Sequence, residues 1–134
     1  GGRERGEEQP GRRRVDLGQR VADLRRHVAR VRSQLLAGEI DYLCFAHGAD
    51  SHEWDQLGYQ CSTDEWLLAA RTIYEMVREV REQRALPVVL ALFGGYRDDA
   101  PEAVLGLHAM DLQIALKLLA GVDVPFGVDV PPRR

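Results

Sequence analysis

The apolar positions of this chain follow a helical rhythm in three places and run unbroken in two. Val21, Leu24, Val28, Val31 and Leu35 recur at spacings of three and four, with Arg20, Arg25, Arg26, Arg30 and Arg32 around them. That spacing places one apolar stripe on a helix whose other faces are basic and solvated. Asp16 is positioned to cap this helix, with Gln19 three residues on as in a capping box, and Gly38 ends it. Tyr42-Leu43-Cys44-Phe45-Ala46 is continuous rather than alternating, which predicts a strand covered on both faces. Ser62 and Glu65 form a second capping box. Trp66, Ala70, Ile73, Val77 and Val80 then make a second helical stripe ending near Arg84. Pro87 introduces another unbroken run, Val88 to Phe93, which breaks at Gly94-Gly95-Tyr96. Asp99 and Pro101 mark the start of a third helix. Its inner face is predicted at Val104, Leu105, His108, Leu112, Leu116 and Leu119, and Gly121 closes it.

Helices alternating with unbroken apolar strands predict an α/β fold with a parallel sheet flanked by helices. Residues 1–15 have no apolar side chain before Val15 and are expected to be a disordered head. Residues 16–121 hold the α/β domain, and 122–134, with three of the chain's six prolines, read as a loose tail. A parallel pair puts both strands' carboxyl ends on one edge, where open α/β sheets place their sites. The loop from His47 to Gly58 and the Gly94-Gly95-Tyr96 turn then face one another, which brings Tyr96 towards Asp55.

Composition narrows the partners. The 134 residues carry a formal net charge of −3, which predicts no nucleic-acid partner. No apolar run is read as approaching a membrane span and no signal peptide stands at the start, so neither a membrane nor export is expected. A basic amphipathic first helix can lie on a membrane surface, but a strand follows it at once, so it is read as covering a sheet. Two cysteines, Cys44 and Cys61, make no disulfide framework, and a reducing cytoplasm is the expected location. Cys44, inside the first strand, is expected to be a small core residue.

The loop from His47 to Gly58 is dense in chemistry, with His47, Asp50, His52, Glu53 and Asp55 alongside two glycines, Gly48 and Gly58. Carboxylate and imidazole are the ligands of zinc, which needs three protein donors and an open position to activate water. Asp55 is a candidate metal ligand. Tyr96, after two glycines, could present its hydroxyl to a carbonyl oxygen as charge develops on it. Together these parts suggest metal-assisted amide hydrolysis. Each has a plainer reading: a loop aspartate often binds backbone amides, and Gly-Gly-Tyr after a strand is often only a turn. His47, Asp50, His52 and Asp55 could form a local metal site, although loop residues so spaced are not bound to converge. His108 is expected to be packing and His27 solvated.

In order and spacing these residues resemble the histone deacetylase superfamily, with its acetoin-utilisation and acetylpolyamine amidohydrolase members. The resemblance runs through Gly48-Ala49-Asp50, Asp55-Gln56-Leu57-Gly58, Ser62-Thr63-Asp64-Glu65 and Leu92-Phe93-Gly94-Gly95-Tyr96, and covers roughly residues 19–120. It implies a partial arginase/deacetylase-like three-layer fold and a zinc ion (Zn2+). It puts Asp55 on the family's last zinc ligand and Tyr96 on the tyrosine that polarises the acetyl carbonyl. Gly94 and Gly95, with Phe93, fall on the turn lining the acyl channel, and Asp50 on a recurrent structural aspartate. The chain departs from the family at Gln56, where proline is usual, and at Phe93, where glycine or glutamate is usual. The family's upstream Asp-x-His and paired His-His have no counterpart in residues 1–46. The resemblance therefore implies the C-terminal part of a deacetylase of acetylated lysine or polyamine amines, inactive without an upstream half or a partner chain. The alternative of another class is a non-catalytic, deacetylase-like interaction module. A third is a small hydrolase using the local histidine–aspartate cluster alone.

Overall fold

The computed structural model describes residues 17–56, 58 and 60–125. Helix α1 (Leu17–Leu36) is followed by strand β1 (Leu43–Gly48) and one 3-10 turn (Ala49–Ser51). Helix α2 (Thr63–Arg81), strand β2 (Val88–Phe93) and helix α3 (Pro101–Ala120) complete the order. The strands pair in parallel, from Leu43 opposite Val88 to Gly48 opposite Phe93. The described residues thus form a mixed α/β unit with a two-stranded parallel sheet and three helices, as the alternation of patterns predicts.

Local chemistry explains most boundaries. Ser62 caps α2 in the predicted capping box: its hydroxyl accepts from the Glu65 N–H, and the Glu65 carboxylate accepts from the Ser62 N–H. Pro101 sits in the first turn of α3, and Gly121 closes that helix in the left-handed region at φ 67°. Helix α2 ends at Arg81 rather than near Arg84, and its last carbonyls are taken up by the Glu82, Gln83 and Arg84 amides in the turn that follows; the Arg84 side chain reaches across to α1. Its guanidinium donates to the Leu35 carbonyl in the last turn of α1 at 2.7 Å and to the Ile40 carbonyl beyond it at 3.3 Å. The Asp16 cap, the head and the last part of the tail lie outside the described residues. Gln19 donates instead to Asp23, at 2.8 Å.

The core lies between the helices and one face of the sheet. Leu35, Met76, Val77, Val80 and Leu86 form a buried cluster against which Leu43 and Val88 pack. Ala70, Tyr74 and Ala115 form the next, against Phe45 and Leu90. A third, around Ala49, Trp54, Trp66, Ala103 and Leu107, supports the carboxyl ends of the strands.

Three expectations are corrected here. The strands are covered on one face only: Cys44, Ala46, Val89 and Phe93 point the other way and are exposed. Cys44 is therefore a surface thiol and not a core residue. On α3, Leu105 and Leu112 are exposed, and the buried face is Ala103, Val104, Gly106, Leu107, His108, Asp111 and Ala115. The helix is apolar nearly all round, so spacing could not phase it, and the buried polar contacts of Asp111 do. By length and composition α3 also suffices to cross a membrane, contrary to the reading that no stretch comes near. Here it docks on α2 through one face, with His108 and Asp111 buried and Leu105 and Leu112 exposed.

Candidate functional site

The loop after β1 and the turn after β2 meet, and Asp55 joins them. Its carboxylate is buried, 1% exposed, and accepts two backbone N–H groups: Gly58 at 2.9 Å within its own loop and Tyr96 at 2.6 Å across the gap. The Gln56 N–H donates back to the Tyr96 carbonyl at 2.9 Å. This double tie fixes the backbone of Tyr96, while its side chain is 55% exposed at the sheet edge. Gly94 and Gly95 turn with φ of 60° and 96°, a region open to glycine at no steric cost. A methyl on Gly95 would overlap Val104, and one on Gly94 would meet the Asp50 side chain. Gly58 is required by close approach, since a Cβ there would overlap the Asp50 carbonyl. Asp50 thus packs between the two segments, at an exposed position. Phe93, just before the turn, is 55% exposed.

The rest of the loop closes on itself. His52 is fully buried. Its Nδ1 accepts from the Trp54 N–H at 3.0 Å, so its Nε2–H is the donor to Thr63 Oγ1 at 2.9 Å. This staples the loop to the first turn of α2. The Ser51 carbonyl accepts from the Gln60 and Cys61 amides. The four residues His47, Asp50, His52 and Asp55 therefore serve separate contacts. Among the described residues no three His, Cys, Asp or Glu side chains form a group that could hold a metal ion. Asp55 offers one donor where a catalytic zinc needs three. The described residues do not make a zinc centre on their own.

Beneath this edge lies a polar network that sequence reasoning missed. The Tyr74 hydroxyl donates to Asp111 Oδ1, and His47 Nδ1 lies 2.9 Å from Asp111 Oδ2. Burial, then the hydrogen bond to Asp111, raises the Tyr74 phenol well above its usual 10.0, so it remains a donor. Both carboxylate oxygens of Asp111 are thus engaged, with His47 Nδ1–H donating to the second. The His47 ring stacks on Trp66 with centroids 3.7 Å apart and planes 10° from parallel, and on Phe45 at 4.9 Å. Trp66 Nε1–H donates to the Gly48 carbonyl at 2.9 Å, tying the start of α2 to the end of β1. His108 is buried beside Trp66, and its Nδ1 is a buried nitrogen without a partner. Burial lowers its pKa, against the opposing pull of Asp111 and of the Gly94 and Phe93 backbone. One signal could have exposed this network. Asp111 is an acid in the middle of a mostly apolar helix, and a buried charge needs partners.

The expected His27 position is exposed, and His108 is packed as expected but in polar company. The structure brings Asp55, Gly94, Gly95 and Tyr96 together, with Asp50 between them, and keeps the His47–Asp111–Tyr74 network apart as a separate buried layer. In comparisons with known proteins, no protein family, no curated protein and no solved structure matches this chain.

Proposed function

We propose that this chain is the C-terminal segment of a zinc-dependent amidohydrolase of the histone deacetylase type, removing acetyl groups from lysine or polyamine amines. In this reading Tyr96 is the group that would polarise the acetyl carbonyl, Asp55 the residue offered to zinc, and Gly94, Gly95 and Phe93 the channel wall. The observation that supports it is the tie from Asp55 to the Tyr96 backbone. It holds the backbone of a largely exposed tyrosine against a buried carboxylate at the carboxyl edge of a parallel sheet. Because no three metal-donor side chains group among the described residues, this reading makes the chain inactive by itself and in need of donors from an upstream or partner segment. Zinc, once held, supplies a Lewis acid and an activated water. This chain's own part is to orient Tyr96 and to fix the width of the turn.

The second reading is a deacetylase-like module that binds a partner and does no chemistry. The uncovered apolar sheet face favours it, since all-parallel sheets are almost always covered on both faces.

Zinc content and acetyl-lysine hydrolysis of the chain alone, and of the chain extended by its upstream coding sequence, separate the two. The deacetylase reading expects zinc and turnover in the longer form only. There Tyr96→Phe should lower kcat about 10²- to 10³-fold, the usual cost of losing one oxyanion donor. A longer form without zinc and without turnover on acetyl-lysine or acetylpolyamine would sink that reading and leave the module. Turnover by the chain alone would refute the requirement for a second segment.

A further inference from the structure

His108 sits between the core and the turn that carries Tyr96. Its ring is buried and meets Trp66 edge-on, and its Nδ1 has no hydrogen-bond partner. The Phe93 and Gly94 backbone lies against the ring. Gly95 packs on Val104, one turn before His108 on α3. Two titratable groups face the ring. Asp111, one turn further along α3, favours its charge, and His47, from β1, opposes it. Tyr74, from α2, donates to that same Asp111 carboxylate. The turn adds no titratable side chain at Gly94 or Gly95, and the Asp50 carboxylate packs on Gly94.

In the imidazolium both ring nitrogens are donors, whichever tautomer precedes it. Nδ1–H would then be a buried, charged donor with no acceptor in reach, and such a group is costly. Relief can come from either side of the ring. Moving α3 breaks the clusters that hold Leu107 and Ala115, together with the Asp111 network. Moving the turn breaks much less. It loses the contact of Gly95 with Val104 and two bonds to the loop: Tyr96 N–H to Asp55 at 2.6 Å and Gln56 N–H to the Tyr96 carbonyl at 2.9 Å. Phe93 and Tyr96 beside it are already exposed. Segments with few buried apolar contacts are the ones that open locally.

We propose that the Gly94-Gly95-Tyr96 turn is an acid-opened latch: it opens as His108 takes a proton from solvent, while the helices and the sheet stay folded. At neutral pH the turn is shut and the Tyr96 backbone is clasped to Asp55. In acid the charged ring gains water through the opened turn, and Tyr96 is released. Burial already lowers the His108 pKa in the shut form, so opening and protonation go together. The latch is a property of the fold and does not depend on the deacetylase reading, which stands or falls on zinc and turnover in the extended chain.

The test is hydrogen exchange of the Tyr96 amide in the full chain, followed by NMR against pH. Opening takes up one proton, so protection at Tyr96, corrected for the intrinsic rate, should fall on the order of tenfold between pH 6.5 and 5. Low urea should leave it unchanged, as for a local opening, while core amides such as that of Leu107 respond. His108→Leu should remove the fall, and His108→Gln serves if that variant does not fold. Both variants keep Asp50, Asp55, Asp111 and His47, so protonation of those groups is common to all three proteins. Protection that stays level in the unaltered chain, falls equally in the variants, or responds to urea as the core does would each overturn the proposal.

Discussion

Two faces of one sheet carry similar side chains and meet opposite surroundings. Leu43, Phe45, Val88 and Leu90 face the helices and pack into buried clusters. Cys44, Ala46, Val89 and Phe93 alternate with them and are exposed. A sheet that functions with one wet face normally alternates apolar with polar residues. Here the outer face has no polar residue at these positions. Helix α3 repeats the contrast, with Leu107 1% exposed and Leu105 68%. A helix apolar all round is one buried all round. Both elements thus carry sequences suited to a dry environment on two sides and find it on one. The difference teaches that the outer face has the composition of a covered one, and each of the two proposed functions would supply a cover.

The comparison is broken most severely from the inside. Asp111→Ala removes the shared acceptor of Tyr74 and His47 and leaves two buried polar groups unpaired. Breaking a buried, hydrogen-bonded pair costs about 3–5 kcal/mol, and urea unfolding should show a loss of that size. Asp111→Asn, which keeps the shape and one acceptor oxygen, should lose less. A loss below about 1 kcal/mol for Asp111→Ala would mean that the network is dispensable for the fold. Phe45→Ala comes next. It removes a half-buried ring that stacks on His47 and meets Tyr74 edge-on, with centroids 5.7 Å apart. A fully buried Phe→Ala change costs about 3–5 kcal/mol, so partial burial here sets the expectation at about 2 kcal/mol.

This ranking bears on how much the sequence could tell. The strand β2, the parallel pairing and the Ser62–Glu65 capping box are legible because each depends on a local pattern or on a topology rule. The meeting of Asp55 with Tyr96 is legible for the same reason: parallel strands put their carboxyl ends on one edge. The role of Asp55 as a backbone clasp was one of the readings left open, and the Tyr96 N–H bond gives it substance. The polar network was not legible. Tyr74, Asp111 and His47 lie on three different elements, and only packing of α2 against α3 brings them together. Nor was the bare outer face. An unbroken apolar run reads as a strand covered on both faces, and nothing in the run says which layer belongs to these residues. Cys44 was misplaced for that reason.

The network should also shape the pH dependence of stability. Burial holds the His108 pKa below its ordinary 6.5. On acidification the unfolded chain takes up that proton first, so the contribution is complete above pH 6.5 and is lost as pH falls towards the folded value. The Tyr74 phenol is raised above its ordinary 10.0. Its contribution is complete below pH 10 and is lost as pH rises beyond, because the unfolded phenol ionises first. For these two groups, urea midpoints measured against pH should be flat from about 6.5 to 10 and fall on both sides. His108→Leu should flatten part of the acid limb, and Tyr74→Phe part of the alkaline limb. An acid limb unchanged in His108→Leu would show that other groups set it.

The smallest effect tests the outer face itself. Val89 is 55% exposed and belongs to none of the buried clusters, so Val89→Thr in this chain should change stability by no more than about 0.5 kcal/mol. The substitution keeps the β-branched shape and the strand preference, which confines the change to one added hydroxyl. In the chain extended upstream, a layer seated on this face would have to bury that hydroxyl. The same substitution should then cost about 1–3 kcal/mol, the penalty of a buried polar group without a partner. If the extended form is as insensitive as the short one, no part of it covers the face. An external partner is then the remaining occupant, and the apolar outer face belongs to the interaction-module reading.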